Sequence, residues 1–301
     1  MVRHMKHSIC MPIRTSSGFT LIELSIVLVV IGLVVGGVLV GRDLIEAAKL
    51  RATASQLEQY STAANVFKLK YGNLPGDIPA NKAQAFGLRY SHAVSRNSGD
   101  GNGAFNCVQD LVYCSSGRYG FVNHEMTYFF MHLGDANLIA GNYNFYLSGY
   151  RDDGVYGGAL RTTMSAGVDY PALKMNPLAG ILPVTSRIFG DNWFMLSCIS
   201  DTAIMGWINQ NCQFGAAVPP AHDHRLLPMQ AFALDSKIDD GIPSTGTVRA
   251  VRILGGAIAG VSYDITIYID DRPNLCVTTS ASTLYNTNNN SPQCSMLVKM
   301  R

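Results

Sequence analysis

From Phe19 to Val40 the chain runs for 22 residues with a single charge, Glu23. No other stretch restricts the fold as much. At about 1.5 Å per residue, a helix of this length reaches about 33 Å, enough to cross a hydrocarbon core of about 30 Å. An ionised carboxylate in such a segment costs at least about 2.5 kcal/mol, so it requires a partner or a purpose. The eighteen residues before Phe19 carry Arg3, Lys6 and Arg14 and no acid. Cutting the Gly18–Phe19 bond would create an α-amino group on Phe19, one helical turn ahead of Glu23. On a neighbouring subunit that amine is a natural partner for Glu23 in lipid, where each charge is otherwise unmatched. A secretory signal peptide fits worse, because its cleavage site follows the apolar run.

Hydrophobic residues make up 48% of the 301 positions and charged residues 15%, a balance that suits an ordered, packed chain. The segment 1–18 holds three of the 23 basic residues and none of the 21 acids, so its removal leaves 20 − 21 = −1. That balance supports no direct nucleic-acid partner. The early basic residues favour a cytoplasmic N-terminus with the body exported. Of seven cysteines, Cys10 falls in the leader. The remaining six read as disulfides in an oxidising compartment. Fifteen connectivities are open, and local spacing suggests Cys107–Cys114, Cys198–Cys212 and Cys276–Cys294. The rival reading, metal ligation, lacks a C-x-x-C or a Cys/His knuckle.

Beyond Gly41 the helical pattern continues. Leu50, Ala54, Leu57, Ser61, Ala64, Phe67 and Tyr71 recur at spacings of three and four, a stripe on which a domain can pack. Gly72 supplies a stop and Pro75 prevents resumption. The spacing thus predicts one helix from about Phe19 to Tyr71, membrane-embedded over 19–41 and amphipathic over 42–72. Gly32, Gly36, Gly37 and Gly41 interrupt the membrane half with two G-x-x-x-G pairs. A packing face between subunits, a segment that unwinds, and ordinary membrane-helix glycines all remain open.

The exported body spans 73–301. Leu74-Pro75-Gly76-Asp77 reads as a turn, and 95–106 as a Gly/Asn/Ser-rich loop. A helix is expected from His124 to Ile139, with Met126, Phe129, Phe130, Leu133 and Leu138 apolar. The stretch from Tyr150 to Pro220 reads as irregular, with short strands around Ile188–Cys198. Strands are expected at Ala231–Leu234, Val248–Ile253, Val261–Ile269 and Leu275–Thr279, where Tyr263, Ile265, Ile267 and Ile269 alternate. A polar tail, Asn286 to Pro292, then leads to Cys294. The fold class is α+β: a long N-terminal helix packed on a C-terminal antiparallel sheet.

Catalytic chemistry finds little support. Ser, His and acids are present, but no G-x-S-x-G elbow. His222-Asp223-His224 offers two imidazoles without a third ligand, and reads as a solvated loop. Asp100-Gly101-Asn102-Gly103 has too few carboxylates for an EF-hand loop and reads as a turn. Asp235, Asp239 and Asp240 place three carboxylates in a glycine-bearing turn, so calcium there is an expectation beside the plainer one that these acids cap the turn. No other cofactor is expected.

A basic leader, Gly18, then Phe19-Thr20-Leu21-Ile22-Glu23 and an apolar helix resemble the type IV pilins and the pseudopilins of type II secretion. Asn73-Leu74-Pro75-Gly76-Asp77, the segment from His132-Leu133 to Leu138-Ile139, and Leu234-Asp235-Ser236-Lys237-Ile238-Asp239-Asp240-Gly241 resemble segments of a large-bodied group of prepilin-type proteins. The resemblance implies a prepilin peptidase that cuts after Gly18 and N-methylates Phe19, and a role for Glu23 in assembly. Its partners would be other pilin or pseudopilin subunits, an inner-membrane assembly platform and membrane lipid. It implies an inner-membrane precursor with a periplasmic body that later joins a periplasmic or surface filament. The expected function is a structural subunit of a type IV pilus. The alternatives are a pseudopilin driving protein export and, from another class, a membrane-anchored periplasmic enzyme.

Overall fold

The computed structural model describes residues 18–90, 99–105, 124–143, 167–168, 170–186, 189–197, 226–254, 266–269, 275–279 and 283–301. The chain forms two compact units, one ending at Ala47 and one beginning at Ala48. Helix α1, Leu21–Tyr71, supplies the described residues of the first from Leu21 onward and opens the second. In the first unit its Leu, Ile and Val side chains are exposed on every side. An apolar helix with no polar face is suited to lipid. Its glycines leave no break in the helix.

In the second unit α1 buries one face: Leu57, Tyr60, Ser61, Ala63, Ala64, Phe67 and Tyr71. Two more positions on that face, Thr53 and Gln56, are polar, and with Ser61 they have hydrogen-bond work to do. Thr53 Oγ1 accepts the Met175 amide at 2.9 Å. Gln56 accepts the Lys174 amide at 3.2 Å and donates to the Ala172 carbonyl at 2.8 Å. The backbone of 172–175 therefore finds along the helix the partners that a neighbouring strand would otherwise supply. Ser61 accepts the Arg301 amide at 2.8 Å and donates to the Arg301 carbonyl oxygen at 2.6 Å. Gly72 ends the helix with φ +78°, the left-handed conformation that costs glycine no Cβ clash.

Helix α2 covers Ala80–Ala85 and helix α3 covers His124–Asp135. Expectation carried α3 to Ile139, four residues too far. Asn137 turns left-handed at φ 56°, so the Leu138 amide reaches back to the Leu133 carbonyl and the Asn137 amide to that of Gly134. This paired reversal closes the helix and tucks Leu138 against the core it still contacts.

Among the described residues the sheet has five strands: β1 Gly180–Thr185, β2 Asn192–Ser197, β3 Val248–Leu254, β4 Thr266–Ile269 and β5 Ser295–Lys299. Their order is β1-β2-β5-β3-β4, with every neighbouring pair antiparallel. Phe194 on β2 packs against Tyr60 of α1 and Phe129 of α3, with ring centroids 6.4 and 6.0 Å apart. Its neighbour Trp193 points the other way, under Phe189 and the Arg249 guanidinium. The expected α+β layout is thus present. Helix α4, Pro228–Ile238, corrects the strand expected at Ala231–Leu234. Pro228 presets φ at the first helical position, and Gln230 accepts the Leu227 amide at 3.1 Å. Leu275–Thr279 also forms no strand; Val277 makes only an isolated bridge to Tyr285. Residues 261–265 of the strand expected at Val261–Ile269 lie outside the described ones.

Cys276 and Cys294 are joined by a disulfide across 18 residues. Cys294 also exchanges two backbone bonds with Leu226, ahead of α4, at 3.0 Å each. One crosslink thereby ties the start of β5 to the 275–279 segment and to the entry of α4. In the chain-entropy picture, closing a loop of this size contributes about 3 kcal/mol. Cys107, Cys114, Cys198 and Cys212 lie outside the described residues.

Candidate functional site

The N-terminal site is built from six consecutive residues. Gly18, Phe19 and Thr20 precede the first helical turn and are exposed, Phe19 at 84%. The Gly18–Phe19 bond therefore lies outside the helix and is reachable, whereas a bond inside the helix would have to unwind before a protease could grip it. Nothing lies within 4 Å of where a Gly18 Cβ would stand. Helix α1 starts immediately after, and its first-turn acid is Glu23.

Thr20 and Glu23 close the helix end reciprocally. The Thr20 amide and hydroxyl each donate to Glu23 Oε2 at 2.8 Å, and the Glu23 amide donates back to Thr20 Oγ1 at 3.3 Å. This is the capping box, a threonine with a glutamate three residues on, which satisfies amides that a helix leaves orphaned. The carboxylate also sits where the helix dipole favours negative charge. The pattern was readable in the sequence as Thr-x-x-Glu; the reading of Glu23 as an acid awaiting an outside partner passed over it.

Among the described residues of the body, two groups of three acids bring ligand oxygens within 4.8 Å of one another. The first, Asp77, Asp100 and Glu125, is assembled by the fold from a turn, a loop and the first turn of α3. Asp77 is fully buried, and its two oxygens accept the Gly101 and Gly103 amides at 2.8 Å each. The loop around Asp100 thus wraps a carboxylate 23 residues away, which no local spacing reveals. Gly76 makes this close packing possible: a Cβ there would collide with the Glu125 carbonyl oxygen, and its φ is +87°.

The second group is Asp235, Asp239 and Asp240, the acids expected in the glycine-bearing turn. Asp235 Oδ1 accepts the Gly241 amide at 3.2 Å and its Oδ2 the Tyr285 hydroxyl at 2.8 Å. Asp239 Oδ2 accepts the Thr247 and Val248 amides. Asp240 accepts the Ile242 amide and the Thr245 hydroxyl at 2.8 and 2.6 Å. Oxygen-only donors suit calcium, which takes six to eight of them. Here five of the six carboxylate oxygens already accept hydrogen bonds, so the turn is held by protein donors whether or not an ion joins them.

Burial, opposed by those bonds and reinforced by nearby acids, lifts both Asp77 and Asp235 to about 6. A carboxyl raised on folding stabilises the fold below its ordinary value, and that contribution is lost as pH rises through about 6. His132 behaves oppositely: burial lowers it to about 4, so it stays neutral. Its Nδ1 accepts the Gly76 amide at 2.8 Å, which leaves Nε2 to donate to the Arg89 carbonyl at 2.7 Å. Asp235→Asn isolates one of these titrations, because His132 is common to both proteins. Relative to wild type, the variant is expected to gain about 1 kcal/mol between about pH 5 and about pH 7, after allowance for screening. Thermal melts with a chelator present test this; a parallel pH profile for the two proteins would contradict it.

His222, Asp223 and His224 lie outside the described residues. Residues 13–39 match the family described as the prokaryotic N-terminal methylation motif. The match takes in Gly18, Phe19 and Glu23 and the apolar run as far as Leu39. No curated protein and no solved structure matches the chain.

Proposed function

We propose, from a motif that supports a type IV pilin-like or pseudopilin family, that this chain is a structural subunit of a type IV pilus or pilus-like filament. One observation carries the reading. The methylation motif, over residues 13–39, takes in Gly18 and Phe19, both exposed and directly ahead of an apolar helix whose first-turn acid is Glu23. Such a motif marks a prepilin peptidase substrate and a protein that assembles with other pilin subunits. The chain would wait in the inner membrane with its N-terminus in the cytoplasm and its body in the periplasm. Handed to an assembly platform, the helix would exchange lipid for neighbouring helices, and the Glu23 carboxylate would meet the Phe19 amine of the next subunit. The body would coat the filament, a mechanical and adhesive role rather than a catalytic one.

Calcium at Asp235, Asp239 and Asp240 is a subsidiary proposal, supported by the clustered oxygens of that turn. Millimolar calcium raising the melting temperature of wild type, but not of Asp239→Asn, would support it; equal melting with calcium and with chelator would end it.

The main reading is tested by the mass of the mature N-terminus together with imaging of cells lacking the gene. An exported chain beginning at N-methylated Phe19, with surface fibres lost or reduced in number, is expected. A chain beginning anywhere else overturns the reading. Correct processing with fibres unaffected and protein export lost would favour a pseudopilin instead.

A further inference from the structure

We propose that Thr20 is the positioning residue for Glu23: it grips one carboxylate oxygen and presents the other to the incoming subunit. The inference rests on the filament reading above. Both bonds from Thr20 fall on Oε2. No donor among the described residues reaches Oε1, and the flanking Phe19, Leu21 and Ile22 are exposed. The carboxylate is thus divided between an inner oxygen held within the chain and an outer oxygen left for a partner.

All three bonds outlast maturation. Once the Gly18–Phe19 bond is cut, Thr20 remains the second residue and keeps both its amide and its hydroxyl. The geometry in the precursor is therefore available to the mature subunit. A glutamate has three rotatable bonds, and freezing them at docking opposes association. Thr20 freezes them beforehand, with a β-branched side chain that is itself stiff at χ1. Its hydroxyl is also well matched to this task, because it donates to Oε2 while accepting the Glu23 amide. In lipid, where water cannot supply substitute donors, the half-satisfied acid is less costly to hold than a bare one.

The test compares wild type, Thr20→Val and Thr20→Ser, each expressed as the full chain in its own cells. Three quantities are read: the membrane pool, the mature N-terminus and the share of chain in sheared fibres. Valine keeps the shape and the backbone amide but lacks the hydroxyl. Its expected effect is a roughly tenfold loss of chain from fibres, the size of one hydrogen bond to a charged group, with the membrane pool and cleavage unchanged. Serine restores the hydroxyl and is expected to recover most of the fibre share. Valine assembling like wild type overturns the proposal, as does serine failing as valine does. A matching fall in membrane pool or in cleavage would make Thr20 a folding or processing determinant, and also overturns it. Wild-type chain absent from fibres would instead sink the filament reading, and this inference with it.

Discussion

Glu23→Ala is expected to remove the chain from fibres on the order of a hundredfold, while membrane insertion and cleavage after Gly18 persist. Insertion should survive because the substitution deletes the only charge between Phe19 and Val40 and so makes the segment more apolar. Cleavage should survive because the scissile bond is exposed and precedes the helix. Assembly should fail for the opposite reason. The Phe19 amine of the neighbouring subunit would enter the bundle without a counter-charge, at a cost of about 2.5–3.5 kcal/mol, which converts to on the order of a hundredfold. Glu23→Gln separates shape from charge: it retains a side-chain acceptor for Thr20 but carries no charge for the amine. Immunoblots of fibre and membrane fractions provide the measurement. Equal fibre incorporation by wild type and Glu23→Ala would show that nothing in the assembly answers this acid.

The second large effect lies at the other end of the same helix. Phe67 is fully buried, stacked on the His132 ring at 5.9 Å and tilted against Tyr71 at 4.3 Å. Phe67→Ala is expected to destabilise the body by about 3–5 kcal/mol, the transfer loss of the ring plus the cavity left among His132, Tyr71 and the core. Since a typical domain has only about 5–15 kcal/mol in hand, partial unfolding near physiological temperature should follow. Leu69, two residues on, is 87% exposed, and Leu69→Ala should change stability by less than about 0.5 kcal/mol. Denaturant unfolding of the detergent-solubilised chain measures both. Similar small effects would mean that the stripe does not dock the helix on the body.

What was legible in the residues followed from repetition at short range. An unbroken apolar run, a stripe spaced by three and four, and a glycine at the end of it are each local, so helix α1 and its stop at Gly72 could be read directly. The strand at Val248 was similarly visible. Elements that depend on distant neighbours were not. Strand β1 carries Pro183, which argues against a strand; it is tolerated because β2 is the one strand that pairs with β1 among the described residues, and on its other side β1 meets only a bridge from Ala172 to Gly180, short of Pro183. Strand β5 follows a polar tail and is only five residues long, yet it sits between β2 and β3. Both β2 and β5 are covered on two faces, so neither shows the alternation that betrays a half-exposed strand.

The candidate sites divide along the same line. Gly18, Phe19 and Glu23 fall within six consecutive residues, so their closeness was determined by the sequence alone. Sequence also placed Asp235, Asp239 and Asp240 within six residues; the fold puts the first in the last turns of α4 and the other two just past its end. Only the tertiary structure decided that Asp77 and Glu125 would join Asp100, because loop amides at Gly101 and Gly103 can find a carboxylate 24 and 26 residues back only once the chain has closed on itself. It decided, too, that Thr53 and Gln56 would serve as a strand's missing partner. A buried backbone amide must be paired, and which side chain pairs it depends on what the fold brings alongside.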